Sequence, residues 1–272
     1  MCVPGCHEAI HERLSRRGLF KGGAAMLAAA TAVSTATRAE ARRARVFNRV
    51  VDLSHTLTPD FPTYIPEWAL QVEQLTSFAE NGFNTKRMTM VEHCGTHMDA
   101  PIHFSADGAT LDALPLEDLV LPLAVIDVRE QAAENPDYAV TPDDLKAYGD
   151  AFGAIPEGAC VAMNSGWASK APGEAFANRD DEGVMHFPGF HVEAAQMLME
   201  GGAIGLAADT LSLDPGNSTT FDTHYEWLPS GRWGIENIAG LDDVPPAGAT
   251  IVAAAPKIGD ATGAVTRVFA LV

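Results

Sequence analysis

The sequence predicts one α/β domain built on a mixed sheet with flanking helices. Seven short runs of strand character outnumber two helical segments and do not alternate regularly with them, which favours a mixed sheet over a doubly wound parallel one. No linker rich in Pro, Gly and Ser divides the chain. With 272 residues, of which 47% are hydrophobic and 20% charged, the composition is that of a globular protein.

The predicted strands are β-branched or apolar runs, each bounded by Gly, Pro, Asp or Asn. In chain order they cover Val50–Leu53, Arg87–Glu92, Leu119–Val128, Ala159–Met163, Ala203–Ala208, Thr250–Ala255 and Val265–Leu271. Together these runs account for most of the apolar residues that a sheet needs for its buried faces.

Two helices are predicted from their end signals. The first begins at Thr141, where a threonine N-cap is followed by Pro142 and two acidic residues, and it runs to about Tyr148. The second covers His191–Glu200 and ends at a Gly201-Gly202 pair, a typical helix stop.

The first 41 residues differ in composition from the rest. Arg16 and Arg17 stand directly before an apolar run of small residues, 22–33, and Ala39-Glu40-Ala41 offers the small-x-small pattern that a signal peptidase recognises. The run is shorter than the roughly 20 residues of a membrane span. We therefore expect residues 1–41 to be a cleaved twin-arginine export signal and 42–272 to be the mature domain.

This leader implies a location and a partner. We expect an exported protein, periplasmic or secreted, that meets the twin-arginine export machinery and keeps no stable membrane anchor after cleavage. The alternative is a basic amphipathic helix that stays attached, which the Gly22-Gly23 pair and the Ala/Thr content of the segment fit poorly.

The charge balance excludes one class of partner. The chain has 18 basic and 36 acidic residues and a net charge of −18, so the phosphates of nucleic acid would repel it. Only Cys94 and Cys160 follow the leader, and their spacing does not demand a disulfide. Both are expected to be packing residues of the protein interior.

One segment carries the chemistry. His93, His97, Asp99 and His103 all have odd numbers, so in an extended segment their side chains share one face even with a turn at Gly95. Imidazole nitrogens and a carboxylate suit zinc or manganese. Three such ligands leave a position for water, whose pKa falls toward about 7 on the ion. A clustering that merely satisfies core hydrogen bonds is the alternative.

The same segment, HCGTHMDAPIH from His93 to His103, resembles the HxGTHxDxPxH signature of the metal-dependent "cyclase" family. That family includes bacterial kynurenine formamidase and isatin hydrolase. Further stretches are similar to the family in the same order, namely 52–55, 107–112, 208–214, His224 and the pair Glu236-Asn237. The resemblance spans roughly residue 50 to the C-terminus.

The resemblance implies roles for six residues. His93, His97 and Asp99 would bind the primary metal, and Asp99 would bridge to a second ion held by His224 and Glu236 in the formamidase type. In members with a single manganese, His224 and Glu236 would orient water or substrate instead. The family's catalytic histidine, which moves a proton between water and the leaving nitrogen, matches His103. The resemblance also implies a swivelling β/β/α fold and a homodimer or homotetramer.

The expected function is hydrolysis of a small aryl formamide, cyclic amide or lactone with one or two Zn²⁺ or Mn²⁺ ions. Phe61 and Tyr64 lie where family members place an aromatic loop at the pocket, and Trp167 ends a predicted strand, so these three are the expected substrate contacts. Core packing explains them equally well.

Two other functions remain open at this point. An iron-dependent oxygenase would use His97, Asp99 and His224 as a 2-His-1-carboxylate site, with Arg232 holding a co-substrate carboxylate. A non-catalytic metal-binding protein would need the ligands alone. A zinc protease of the HExxH type is excluded, because Cys94 follows His93 and no glutamate lies between the histidines.

Overall fold

A large, curled mixed sheet organises the chain. The structure, a computed structural model, describes residues 47–272. Within that range nine strands form one sheet in the order β1-β13-β11-β5-β7-β9-β10-β4-β12. Their bounds are β1 Val50–Asp52, β4 His97–Asp99, β5 Val120–Asp127, β7 Cys160–Asn164, β9 Gly205–Ala208, β10 Trp233–Glu236, β11 Ala249–Ala254, β12 Gly263–Val265 and β13 Arg267–Leu271.

Two small sheets and six short helices complete the described chain. The small sheets pair β2 (Gln71–Thr76) with β3 (Thr85–Thr89) and β6 (Ala139–Val140) with β8 (Gly189–Phe190). The helices are α1 Phe78–Asn81, α2 Arg129–Glu134, α3 Pro142–Phe152, α4 Glu174–Ala177, α5 Val192–Glu200 and α6 Asp222–Trp227. The predicted fold class, mixed α/β with few helices, is therefore confirmed.

The middle of the large sheet is parallel and largely buried. Strands β5, β7, β9 and β10 run parallel to one another, and every residue of β7 and β9 is buried. One apolar cluster, including Met98, Trp233 and Ile235, covers one face of the sheet. A second cluster joins the other face to α3 and α5. Covering both faces explains why these strands are continuous apolar runs.

Six of the seven predicted strands are present with shifted ends, whereas the prediction for Arg87–Glu92 is wrong in extent and place. The strand there is β3, which ends at Thr89 and belongs to an exposed hairpin outside the large sheet. Sequence alternation alone does not show which sheet a strand joins. The two strands that carry site residues, β4 and β10, were not predicted, because histidine, aspartate and glycine interrupt their apolar pattern.

Both predicted helices are present. Thr141 caps α3 through a reciprocal capping box with Asp144, and the helix continues to Phe152, beyond the expected end at Tyr148. It ends where Gly153 adopts a φ of 90°. Cys94 and Cys160 are buried and free, as packing residues would be.

The described range begins after the predicted leader. The expected export signal, residues 1–41, and the start of the mature domain at residue 42 lie outside the described residues. Among the residues that are described, no helix has the length and hydropathy needed to cross a membrane.

Candidate active site

The site is built on the register between two antiparallel strands. Glu236 of β10 lies directly opposite His97 of β4, and Gly234 lies opposite Asp99. Because side chains two residues apart share a face, His97, Asp99 and Glu236 all project to the same side of the sheet. His97 Nε2 lies 3.4 Å from Asp99 Oδ1 and 3.3 Å from Glu236 Oε2.

A glycine beside Asp99 leaves room for a further histidine. Gly263 of β12 is the partner of Asp99 on the other side of β4. A Cβ atom at Gly263 would lie 2.7 Å from the His93 ring and 2.5 Å from the Met98 carbonyl oxygen. The absence of a side chain at this position therefore allows His93 to approach Asp99, with its Nδ1 2.6 Å from Asp99 Oδ1.

A hydroxyl group fixes the orientation of His93. Thr262 Oγ1 donates to Glu92 Oε2 at 2.5 Å and lies 2.9 Å from His93 Nε2. Since the Thr262 proton is given to Glu92, the hydroxyl oxygen accepts from His93, which places the ring proton on Nε2. Nδ1 is then the atom that faces Asp99, and a metal ion can take the place of a proton between the two.

His97 and His224 are oriented by the same principle. His97 Nδ1 donates to the Gly95 carbonyl at 2.8 Å, and Gly95 itself has a φ of 63° that favours glycine. His224 Nδ1 donates to Asp214 Oδ2 at 2.5 Å, and Asp214 also accepts the backbone N–H groups of Thr223 and His224 at the start of α6. In both histidines the Nε2 lone pair is left pointing into the site.

Three imidazole lone pairs and two carboxylates therefore converge. His224 Nε2 lies 3.0 Å from Glu236 Oε1 and 3.7 Å from Asp99 Oδ2. His97 Nε2 and Asp99 Oδ2 are buried without a hydrogen-bond partner. A set of acceptors with no donor among them is unfavourable when buried, unless a cation lies between them. The donor set of imidazole and carboxylate fits a divalent metal ion such as Zn²⁺ or Mn²⁺.

Asp99 belongs to two overlapping groups of possible ligands. One group is His93, Asp99 and His103, and the other is His97, Asp99 and Glu236. An aspartate shared between two groups is compatible with one ion or with two ions that it bridges.

The charged groups of the site shift one another's pKa values. Burial lowers the pKa of His97, but the nearby carboxylates of Asp99 and Glu236 raise it well above its usual value. These carboxylates therefore favour a cation at Nε2, either a proton or a metal ion that replaces it. Burial also lowers the pKa of His224, but the hydrogen bond with Asp214 helps to raise this pKa well above its usual value. In turn, the surrounding histidines His224, His93 and His97 outweigh burial and hold the pKa of Asp99 well below its usual range.

His103 lies beside the converging ligands. It follows β4 in a 3₁₀ turn, Pro101–Phe104, and its ring stacks on His93 with centroids 3.8 Å apart. Burial lowers the pKa of His103 to about 4, so the ring is neutral near pH 7. A neutral imidazole at this position can accept a proton from a nearby water molecule.

A small cavity of about 280 Å³ opens onto these residues. The polar wall includes His93, His97, His103, His224 and Glu236. The apolar wall is aromatic and aliphatic and consists mainly of Tyr64, Ile65, Trp68, Phe104, Leu211 and Phe221. This volume lies at the small end of the range of ligand pockets, about 300–1,000 Å³, and suits a single- or double-ring molecule.

The three expected substrate contacts have different positions. Tyr64 lines the cavity, with its ring 5.9 Å from that of Phe221. Phe61 and Trp167 do not line it; both are buried in a separate aromatic cluster around Phe176. Both are large apolar side chains that pack against each other's neighbours behind the cavity wall, which accounts for their burial.

Arg232 does not lie where an iron-dependent oxygenase would need it to bind a co-substrate. Arg232 donates to the carbonyl oxygens of Ala203 and Met199 and to the Ser230 hydroxyl, and it does not line the cavity. A guanidinium held in this way is not placed to bind a carboxylate beside the metal ligands.

Several site residues could not be recognised from their sequence patterns. Asp214 lies ten residues before His224, and Thr262 is 169 residues from His93, so only the fold brings them together. Phe221, at a φ of 53°, is a bulky residue in the left-handed region; it directly precedes α6 and lines the cavity. Glu92 contacts Thr262 and Asp99 contacts His93, and both carboxylates lie next to or within the histidine motif.

The comparison with known families agrees with this geometry. A family model described as "Putative cyclase" matches residues 51–215, which include the histidine motif. The chain belongs to this family. An isatin hydrolase from Roseibium aggregatum, a relative of this cyclase-family chain, is 32% identical over 79% of this chain and 85% of its own length. A kynurenine formamidase from Salinibacter ruber is 29% identical over 67% of this chain and 78% of its own length.

Solved structures show the same fold. Isatin hydrolase A from Labrenzia aggregata, bound to benzyl benzoate, superposes with a TM-score of 0.78 at 34% identity, covering 82% of this chain and 93% of that one. A predicted metal-dependent hydrolase from Bacillus stearothermophilus has a TM-score of 0.64 at 26% identity, covering 82% and 97%. The cyclase-family chain therefore shares its architecture with proteins named as hydrolases.

Proposed function

We propose that this protein is a metal-dependent hydrolase that opens the C–N acyl bond of a small cyclic amide or aryl formamide. The convergence of three imidazole lone pairs and two carboxylates beside His103, on the wall of a small aromatic cavity, is the observation that carries the proposal. The names of the relatives, isatin hydrolase and kynurenine formamidase, support the substrate class. A lactone, with C–O in place of C–N, belongs to the same chemistry.

The proposed ligands are His93, His97 and Asp99, with His224 and Glu236 completing the site or holding a second ion. A divalent metal in this site would polarise the substrate carbonyl and make a water molecule more acidic. Asp214 and the Gly95 carbonyl accept the Nδ1 protons of His224 and His97, so Nε2 is the atom that each ring aims at the ligand position.

His103 is the proposed proton carrier. Its neutral ring takes a proton from the attacking water and returns it to the leaving nitrogen, so that water adds across the C–N bond to give an acid and an amine. Tyr64, Phe104 and Phe221 hold the planar part of the substrate and exclude bulk water from the reacting atoms.

The decisive experiment combines metal analysis with substrate assays. Isatin, an aryl formamide and a simple lactone are each tested before and after chelation, and after addition of Zn²⁺ or Mn²⁺. Hydrolysis of at least one substrate that is lost on chelation and restored by metal supports the proposal. Inactivity on all three substrates with metal fully bound would refute the substrate class. Metal content per chain decides between one ion and two.

Export is a separate proposal, supported by the sequence of residues 1–41. We infer that the chain is carried out of the cytoplasm by the twin-arginine route. Cell fractionation of the natural chain and of a variant with Arg16→Lys and Arg17→Lys tests it. The natural chain should be found outside the cytoplasm, shortened at its N-terminus, and the variant inside. Equal distribution of the two would contradict the inference.

A further inference from the structure

The segment of residues 59–66 is a thin wall between two cavities. Its inner side lines the cavity of the candidate site, and its outer side lines an open groove of about 880 Å³ that it forms with residues 172–179. Pro62 and Thr63 contact both spaces. Three of its eight residues are prolines, which have no backbone N–H to donate to a strand ladder. A few individual contacts must therefore fix the position of this wall.

A buried ring and a guanidinium group hold the wall. Phe61 is buried in the aromatic cluster around Phe176, which anchors the first half of the segment. Near the middle, Arg179 Nη2 donates to the Tyr64 carbonyl oxygen at 2.7 Å. The other hydrogen bonds of residues 59–66 within the described chain join groups no more than three positions apart. The bond from Arg179 is thus the one that ties the second half of the wall to a distant segment of the described chain.

Tyr64 is the residue of this wall that extends toward the proposed metal ligands. Its ring lines the inner cavity, with its centroid 5.9 Å from that of Phe221. Burial and the negative charge of Glu236 raise the pKa of its hydroxyl, which places the hydroxyl within range of that carboxylate. A shift of the Tyr64 main chain would therefore change the shape of the cavity beside the ligands.

The segment that carries Arg179 is a closed turn. Arg179 and Met185 form an antiparallel bridge, and Met185 is buried. Between them, Asp180 Oδ1 accepts the backbone N–H groups of Glu182 and Val184, at 3.0 and 2.8 Å. The second arm of the guanidinium donates back to a carbonyl oxygen of this turn at 3.0 Å. The turn and the guanidinium therefore move as one unit.

His186 fastens this turn to a second segment. Its Nδ1 lies 2.9 Å from both oxygens of Asp137, which directly precedes Tyr138 and β6, and its Nε2 lies 3.3 Å from Asp180 Oδ2. A ring nitrogen needs a proton to bond to a carboxylate, so carboxylates on both sides favour the doubly protonated, charged ring. Asp137 and Asp180 are the charged groups that contact His186 within the described chain, and their hydrogen bonds raise its pKa.

We propose that Arg179 is a positioning residue for substrate binding and that the bridge through His186 holds Arg179 in place. Without the guanidinium, the main chain of Tyr64 is free to shift toward the outer groove, and the aromatic wall loses its contact with the substrate. The proposed metal ligands and His103 lie on segments that Arg179 does not contact, so the chemical step changes little. This inference rests on the proposed function, because the substrate is that of the proposed reaction.

Steady-state kinetics of Arg179→Met test the proposal on a substrate that the natural chain hydrolyses. The variant should raise KM about tenfold and change kcat by less than about twofold, because the lost contact affects binding and not the reacting atoms. Arg179→Lys keeps one cationic donor and should recover part of the KM. Because Arg179 is exposed, both variants should fold, which circular dichroism checks.

Arg232→Met is the matched control. Arg232 also donates to two backbone carbonyl oxygens, those of Ala203 and Met199, but neither residue lines the cavity. This variant should leave KM unchanged. An equal rise of KM in both methionine variants, or a fall in kcat at unchanged KM in Arg179→Met, would overturn the proposal.

The pH dependence tests the role of His186. His186→Gln cannot be charged, and comparing it with the natural chain at each pH cancels the titration of other groups. The variant should have the higher KM at about pH 6, and the ratio of the two KM values should fall toward one as the pH rises through the raised pKa of the natural ring. A ratio that stays constant up to about pH 9 would overturn the role of His186.

Hydrogen exchange distinguishes a failure of this proposal from a failure of the proposed function. The hydrogen-bonded amides of Phe61, Trp68 and Ala69 report on the wall without any turnover. At one pH they should exchange at least about threefold faster in Arg179→Met and at the natural rate in Arg232→Met. Unchanged exchange in Arg179→Met would overturn the proposal whatever the activity. Faster exchange in a chain that hydrolyses none of the substrates would refute the proposed function and still support Arg179 as the residue that positions the wall.

Discussion

The Thr262 hydroxyl is a sensitive test of how the site is assembled. The hydroxyl oxygen lies 2.9 Å from His93 Nε2 and 2.5 Å from Glu92 Oε2. Thr262 does not line the cavity, so it makes no direct contact with a substrate there. Thr262→Val keeps the shape of the side chain and removes the hydroxyl. His93 then loses the acceptor that holds its proton on Nε2, and both the tautomer and the orientation of the ring become free.

The magnitude follows from these contacts. A hydrogen bond in a chain that ends on a charged group contributes about 1.5–3 kcal/mol. Because the His93 side chain is 13% exposed, water replaces part of this contact and the lower end of the range applies. A loss of about 1.4 kcal/mol corresponds to tenfold weaker metal binding, within the 10- to 100-fold range typical of residues that orient a metal ligand.

Calorimetric titration of the metal-free protein with Zn²⁺ and Mn²⁺ measures this affinity directly. Thr266→Val is the matched control, because the Thr266 hydroxyl donates to the Ala264 carbonyl and contacts no proposed metal ligand. Glu92→Gln should weaken binding less than Thr262→Val, since the amide oxygen still accepts from Thr262. Unchanged metal affinity in Thr262→Val, or an equal loss in Thr266→Val, would refute the reasoning about the His93 tautomer.

Three further predictions concern other parts of the site and its support. His103→Ala should retain the metal and lose at least 100-fold in kcat, whereas Asp99→Ala should lose the metal. Metal analysis of both variants checks this, and loss of metal in His103→Ala would show that His103 is a ligand. Gly263→Ala should weaken metal binding more than Thr262→Val, because its Cβ would meet the Met98 carbonyl and the His93 ring; unchanged affinity by titration would contradict the tight fit. Burial raises the pKa of Asp209 to about 6 against the hydrogen bonds from Ser165 and Trp167, so folding favours the neutral form more than the unfolded state does. The free energy of unfolding of the natural chain should therefore fall by about 3 kcal/mol relative to that of Asp209→Asn as the pH rises from about 4 to above 6. Urea unfolding of both proteins at several pH values measures this, and a difference that stays constant with pH would contradict the prediction.

The fold was predictable where sequence signals are local. The capping box at Thr141 and Asp144 and the apolar runs of β5, β7 and β11 are local patterns, and the structure contains them close to the expected positions. The strand expected at 87–92 shows the limit of such patterns. Alternating residues indicate a strand, but whether it joins the large sheet or projects as a hairpin depends on contacts with distant parts of the chain.

The candidate site divides in the same way. His93, His97, Asp99 and His103 lie within eleven residues, so their types and spacing alone indicated metal chemistry. Burial of aromatic residues was also expected, but Phe61 and Trp167 pack behind the cavity while Tyr64 forms its wall. Hydrophobicity predicts that such side chains leave water and does not specify which cavity they line.

The sequence by itself determined the fold class, the net charge of −18 and the four clustered residues of the histidine motif. Only the tertiary structure decided which nitrogen of each histidine faces the site, because Thr262, the Gly95 carbonyl and Asp214 hold the other nitrogen. It also decided that Glu236 lies opposite His97, through the register of two short strands. The physical reason is that a proton position is set by a hydrogen-bond partner, and these partners come largely from segments that are distant in the chain.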